Sequence, residues 1–300
     1  MLTLPIGYLK AYPTPLLLDT YNGEFIAYAF KKLRNNYTGL ILQLRRSSNN
    51  ATVYVNFNAD GSLNSGGVAA LGAETLYVIA WYSQDTKTNA GSFYIMGQNT
   101  YAQQPTFTLS NPAFSNKPTV NFNGSSALQL INSFPATGTL YGITMVAKLA
   151  PTDTSTPGTI AFVSDAVNDT DGRAQLRYLD STTYSDATTG QISVSTKRID
   201  TDTVNGTKGY SGATAGTAFT VSASIDYATG NGSLSVNGTQ VSSNASLSTT
   251  GVGTGLNLTV NMGCGRTPTV GNFTGSISGF ILYPFKVSQT VRTALEAALN

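Results

Sequence analysis

Histidine is absent from the 300-residue chain, cysteine occurs once, and charged residues make up only 11% of it. Without imidazole there is no Ser-His-Asp triad, no Cys-His pair, no HExxH zinc site and no histidine general base. The single thiol, Cys264, excludes an internal disulfide and a cysteine-rich metal site. Seventeen Lys and Arg stand against 15 Asp and Glu, and no basic tract concentrates them. Nucleic acid is therefore not an expected partner, because phosphate neutralisation needs several cations on one surface. Long apolar runs are missing too, so no segment reads as a membrane span, and the proline-marked N-terminus does not read as a signal peptide.

What is there is a polar, uncharged chain with a large apolar share. Hydrophobic residues reach 41% and aromatics 10%, with 30 glycines and 16 tyrosines. That balance excludes disorder, which pairs low hydrophobicity with high net charge. Hydroxyls and amides must cover the surface where Lys and Glu usually do, as on many extracellular or particle-borne β proteins.

Residues Phe25, Tyr28, Ala29 and Leu33 fall on one helical face and Lys31, Lys32 and Arg34 follow, which predicts a helix over 22–35. Strands are expected over 39–46, 52–57 and 75–82, and from about residue 105 the chain reads as strand after strand. The runs are 119–123, 127–131, 140–149, 158–164, 173–180, 190–197, 218–226, 232–237, 256–263 and 275–285. So many short, turn-punctuated runs predict a β-sandwich or jelly roll. Asp226 to Gly232 is a hairpin signal, and Val287, Val291, Leu295 and Leu299 make one face of a C-terminal helix that caps the fold or makes a subunit contact, with capping the favoured reading.

Four stretches carry a resemblance, in order: Pro118 to Leu128 with its V-x-F-x-G entry, Tyr141 to Leu149, Gly232 to Val241 ending a hairpin in V-N-G, and Phe273 to Pro284. Residues 118–286 resemble the concanavalin A-like lectin/glucanase sandwich of the laminin-G-like type. The first hundred residues resemble a module of bacteriophage structural proteins that is related to the catalytic region of fungal α-L-arabinofuranosidase B. Leu17 to Leu33, Leu44 to Asn49, Phe57 to Leu63, Ala80 to Gln84 and Gln104-Pro105 carry it. The family continues its Trp-Tyr with Asp-Gln-Ser-Gly-Asn, and this chain has Ser83-Gln84-Asp85-Thr86-Lys87. The resemblance implies a mainly β fold, with a small N-terminal α+β docking module over 1–105 and a jelly-roll sandwich with C-terminal helix over 106–300.

Glycoside hydrolysis requires two carboxyl groups about 5 to 9.5 Å apart across the scissile bond. The only glutamates are Glu24, Glu74 and Glu296, none of them inside the sandwich. An all-aspartate pair would draw on Asp165, Asp169, Asp171, Asp180, Asp200, Asp202 and Asp226, most of them in turn contexts. Asp165 to Gly172 is oxygen-rich like a calcium loop but lacks its full alternation and a downstream Glu, which favours a tight turn. The glycine clusters at 251–255 and 263–266 match no phosphate-binding spacing. The basic groups Lys31-Lys32-Arg34 and Arg45-Arg46 read equally as partner contacts or as solvated element ends.

These readings lead to no catalytic residues, no metal and no cofactor. Tyr178, Tyr184 and Tyr210, placed in polar loops, are the candidate ligand contacts. The expected protein is a non-enzymatic bacteriophage virion component, in capsid, tail or fibre, whose N-terminal module binds other virion proteins. Its sandwich would face outward toward host-surface glycan, and a symmetric homo-oligomer is the default assembly. The alternatives are a glycoside hydrolase of the arabinofuranosidase type and a cellular lectin or adhesin.

Overall fold

A computed structural model describes residues 14–85, 94–132, 139–153, 156–165, 173–179, 191–199, 201–209, 212–244, 250–253, 258–267 and 272–300. In chain order the elements begin with α1 (Leu17–Thr20), β1 (Ile26–Ala29), β2 (Leu42–Arg46), β3 (Thr52–Val55), α2 (Gly66–Ala69), β4 (Leu76–Tyr82) and β5 (Ile95–Gly97). There follow β6 (Thr106–Asn111), β7 (Lys117–Asn123), β8 (Leu128–Leu130), β9 (Gly142–Pro151), β10 (Gly158–Asp165), β11 (Ala174–Leu179), β12 (Gln191–Thr196) and β13 (Asn205–Gly209). The chain ends with β14 (Phe219–Asp226), β15 (Asn231–Val236), β16 (Thr239–Asn244), β17 (Leu258–Met262), β18 (Thr274–Tyr283) and α3 (Gln289–Leu299).

The expected mainly β sandwich is present, and every named strand pairing is antiparallel. One layer runs β18-β9-β14-β15-β16, with β7 and β1 sharing the other edge of β18. The facing layer runs β8-β17-β10-β11-β12-β13. Strands from the first hundred residues join the two, because β6 pairs with β7, β4 with β6 and β5, and β5 with β8. One apolar cluster extends through both parts, from Tyr28, Leu44 and Trp81 to Met145, Val194 and Leu234.

The helix expected over 22–35 is instead β1 and its flanks. Ile26, Tyr28 and Phe30 enter the main core, while Ala27 and Ala29 face a second cluster with Leu33, Val146, Leu295 and Leu299. A strand buried on both faces shows an unbroken apolar run, which periodicity cannot separate from a buried helix. One edge pairs with β18, Ile26 opposite Leu282. At the other edge side chains replace a neighbouring strand: Ser83 Oγ accepts from Ala27 N at 2.9 Å, and Gln84 Oε1 accepts from Leu33 N at 2.8 Å. Gln84 Nε2 donates to the carbonyls of Ala29 and Lys31, at 3.2 and 3.0 Å. Ser83, which stands where the family motif has Asp, and Gln84, which matches it, are thus two buried residues that hold β1 in place.

The C-terminal helix caps the fold as expected. Ser288 Oγ caps it by accepting from Val291 N at 3.3 Å. Leu295 and Leu299 are buried, each worth about 1.5–3 kcal/mol of removal from water. Glu296 fixes the register, its carboxylate accepting from Ser222 Oγ and Gly238 N at 2.6 Å and from Thr220 Oγ1 at 3.2 Å. The carbonyl of Asn300 accepts from Lys117 and, at 3.4 Å, from Lys148.

Candidate functional site

The structure removes one of the three tyrosines singled out in the sequence. Tyr178 lies inside β11 and is 1% exposed, with its ring 6.4 Å from those of Phe219 and Phe273. The polar residues after it suggested a loop, but its strand turns it into the core. Tyr184 and Tyr210 lie outside the described residues, as do 166–172 of the oxygen-rich turn. Cys264 is fully buried, and burial pushes its thiol up to about 12.

The acidic groups divide by what they touch. Glu24 is 2.5 Å from Arg34, Glu74 meets Arg46 at 2.6 Å and Ser48 at 2.8 Å, and Glu296 is taken up by the helix dock. Asp85 acts on the Glu24 carboxyl, but both residues are 3% exposed. Burial first, and Asp85 in addition, raise the Glu24 carboxyl above its ordinary value against the pull of Arg34. A pair sealed this way cannot meet a substrate. Asp226 accepts from Ala228 N in the β14–β15 turn and pairs with Lys286, while Asp202 holds Arg198 through contacts of 3.2 to 3.3 Å.

Strand register then gathers a charged end of the outer layer. Val163 is opposite Ala174, Ala174 opposite Thr196, and Thr196 opposite Asn205. Asp165, Arg173, Lys197, Arg198 and Asp202 therefore belong to one end of β10–β13. Thr196 Oγ1 and Tyr227 Oη both donate to the Arg173 carbonyl, the latter at 2.9 Å, which ties this end to β14. Arg173 and Lys197 are 1% and 3% exposed, so this end of the sheet buries two cations.

A second place is open and differently built. A cleft of about 500 Å³ lies across β2, β4, β6 and β7, where Arg45 is opposite Tyr77, Tyr77 opposite Thr106, and Thr106 opposite Asn121. Residues directly opposite share a face, so the four form one transverse row. The Arg45 guanidinium is stacked between two rings, 4.3 Å from the Tyr77 centroid and 4.2 Å from that of Tyr101. Its Nε donates to Gln104 Oε1 at 2.8 Å and Nη1 to Asn50 Oδ1 at 2.7 Å. Asn121 forms a rigid wall, accepting from Ser276 Oγ at 2.7 Å and donating to Thr108 Oγ1 at 2.8 Å.

Of this cleft the sequence marked Arg45 as a candidate partner contact, together with Arg46, and the strand alternation separates the two arginines. Arg46 pairs with Glu74 nearer the surface, while Arg45 is 7% exposed and turned inward. Nothing local marked Tyr77, Tyr101 or Asn121 as ligand contacts, since the row exists only once strands whose facing residues lie 15 to 32 positions apart are paired.

No protein-family model matches the chain, and no curated protein matches it either. Among solved structures it is similar to an arabinofuranosidase complexed with arabinofuranosyl-α-1,2-xylobiose, at 12% identity and a TM-score of 0.67. It is also similar to a GH54 α-L-arabinofuranosidase soaked with a cyclic sulfate inhibitor, at 13% identity and a TM-score of 0.63. Each match covers 94% of this chain and 64% of the other, so the chain spans just under two thirds of their length. Identity this low establishes the fold alone. Even so, the expectation of a non-enzyme is corrected, because nearly the whole chain, and not the sandwich by itself, shares its fold with solved arabinofuranosidases. The expectation had rested on missing glutamates, whereas aspartates remain at the sandwich edge.

Proposed function

We propose that the chain is a carbohydrate-active protein that hydrolyses glycosidic bonds, with α-L-arabinofuranosides as the substrate class. The observation that carries this is the fold likeness over 94% of the chain to arabinofuranosidases, first hundred residues included. With no histidine and the three glutamates engaged, the acid and its partner must be aspartates. Asp165 at the end of β10 is the first candidate, together with Asp169, Asp171 and Asp200, which lie outside the described residues. The virion location, virion partners and homo-oligomer remain sequence-level expectations that gene neighbourhood and particle composition would test.

The test is release of 4-nitrophenolate from 4-nitrophenyl α-L-arabinofuranoside, the compound soaked into a similar GH54 enzyme variant. Wild type is expected to turn over, and one Asp→Asn replacement among these four to cut the rate by about a hundredfold or more. No turnover of this or any other nitrophenyl glycoside defeats the hydrolase proposal.

A further inference from the structure

We infer that the Arg45 cleft is a second binding site, separate from any hydrolytic centre, and that it takes a sugar unit bearing a carboxylate. Three features of the cleft lead there.

The first is an uncompensated charge. Arg45 is 7% exposed, yet no Asp or Glu pairs with it among the described residues, and it is the only charged residue that lines the cleft. A guanidinium buried without an anion is costly, and a ligand carboxylate would supply what the protein leaves out. Arg34, at 6% exposure, has its carboxylate, and Arg292, at 3%, has none among the described residues but is closed off against the Ser233 carbonyl and Gln289 Oε1, whereas Arg45 faces an open cleft.

The second is preorganisation. Two tyrosine rings clamp the guanidinium plane while Gln104 and Asn50 occupy Nε and Nη1. Gln104 is itself held, its Nε2 donating to the Gln98 carbonyl at 2.9 Å. Nη2 has no protein partner among the described residues. A fixed donor with a free amino group binds a carboxylate without the entropy cost of immobilising a long side chain.

The third is the remaining lining, which suits a sugar ring. Tyr101 is 58% exposed and offers an apolar face beside the cation. Ser47 and Asn123 add a hydroxyl and an amide at the rim, and Asn123 uses its Oδ1 on Ser125, leaving Nδ2 to donate outward. A volume of about 500 Å³ admits one or two sugar units. Uronate and sialate share the required chemistry, and the experiment separates them.

The experiment is calorimetric titration of the full chain with galacturonate and glucuronate oligosaccharides and with N-acetylneuraminate, against galactose oligosaccharides, xylotriose and acetate. We expect at least one acidic sugar to bind about tenfold more tightly than its neutral counterpart and than acetate, and to weaken as salt rises. Arg45→Met should erase the preference for the acidic sugar. Tyr101→Ala, at an exposed position that folding tolerates, should weaken acidic-sugar binding severalfold whether or not the Arg45 variant folds. Equal binding of acidic and neutral sugars, acetate binding as well as any uronate, or wild-type affinity in the Tyr101 variant would each overturn the proposal. A chain that cleaves nothing can still pass this test, so the outcome is independent of the hydrolase proposal.

Discussion

Arg34 and Arg45 are both buried, in strand-rich surroundings, and they are solved in opposite ways. Arg34 meets Glu24 at 2.5 Å in a sealed pocket behind β1, whereas Arg45 meets two rings and two amides at the wall of an open cleft. The first arrangement answers its charge within the chain and holds structure, although Glu24 Oε2 and Arg34 Nε stay unbonded among the described residues. The second leaves a charge unanswered and a donor free, which is what a binding site requires and a structural ion pair avoids.

The largest expected effect breaks the first arrangement. Glu24→Ala leaves Arg34 buried and unpaired and should cost about 3–5 kcal/mol in chemical denaturation. A loss below about 1 kcal/mol would mean that the pair does not hold β1. Because the Glu24 carboxyl is raised above 4.5, the folded chain holds the extra proton, and stability from this group falls as pH rises above that value. Glu24→Gln should flatten that slope.

Lys148 is an intermediate case and should respond with the opposite sign. It is 7% exposed, and burial, with Lys117 and Lys31 nearby, pulls its ammonium from 10.5 down to about 8. Between those values the unfolded chain holds the extra proton, so stability rises with pH through that window and the full cost is present at about pH 7. Lys148→Met should therefore stabilise the fold by about 1–3 kcal/mol near neutrality, with the gain gone once pH passes 10.5. A gain that is the same at both pH values would contradict this cause.

The smallest effect on stability belongs to Arg45. Arg45→Met keeps an unbranched stem beside the rings and removes a charge that has no counter-ion among the described residues, so the loss should stay at about 1–2 kcal/mol, chiefly from stranding the Gln104 carbonyl oxygen. A loss as large as that of Glu24→Ala would make Arg45 structural and erase the contrast.

How far the sequence revealed this molecule follows the same division between local and assembled features. The strands from β7 to β18, β13 and β16 excepted, announce themselves by apolar runs and turn residues, and α3 by its fourfold spacing and Ser288 cap. β1 is misread because it is covered on both faces, by the main core and by the cluster under α3, so neither period shows. Two short edge strands, β13 and β16, carry too many hydroxyl, amide and glycine residues to stand out. The cleft is less legible still, since Arg45, Tyr77, Thr106 and Asn121 become neighbours only through three strand registers. The absence of glutamate from the sandwich was plain to see but does not exclude hydrolysis, because aspartate can supply the same carboxyl chemistry.

The most direct test of the central claim, that this chain acts on carbohydrate, is mass-spectrometric detection of pentose released from arabinofuranosyl-α-1,2-xylobiose. The wild-type chain should release arabinose and leave xylobiose, and the Asp165, Asp169, Asp171 or Asp200→Asn variant that stops 4-nitrophenolate release should stop this too. An intact trisaccharide after prolonged incubation with folded wild-type chain would contradict the account.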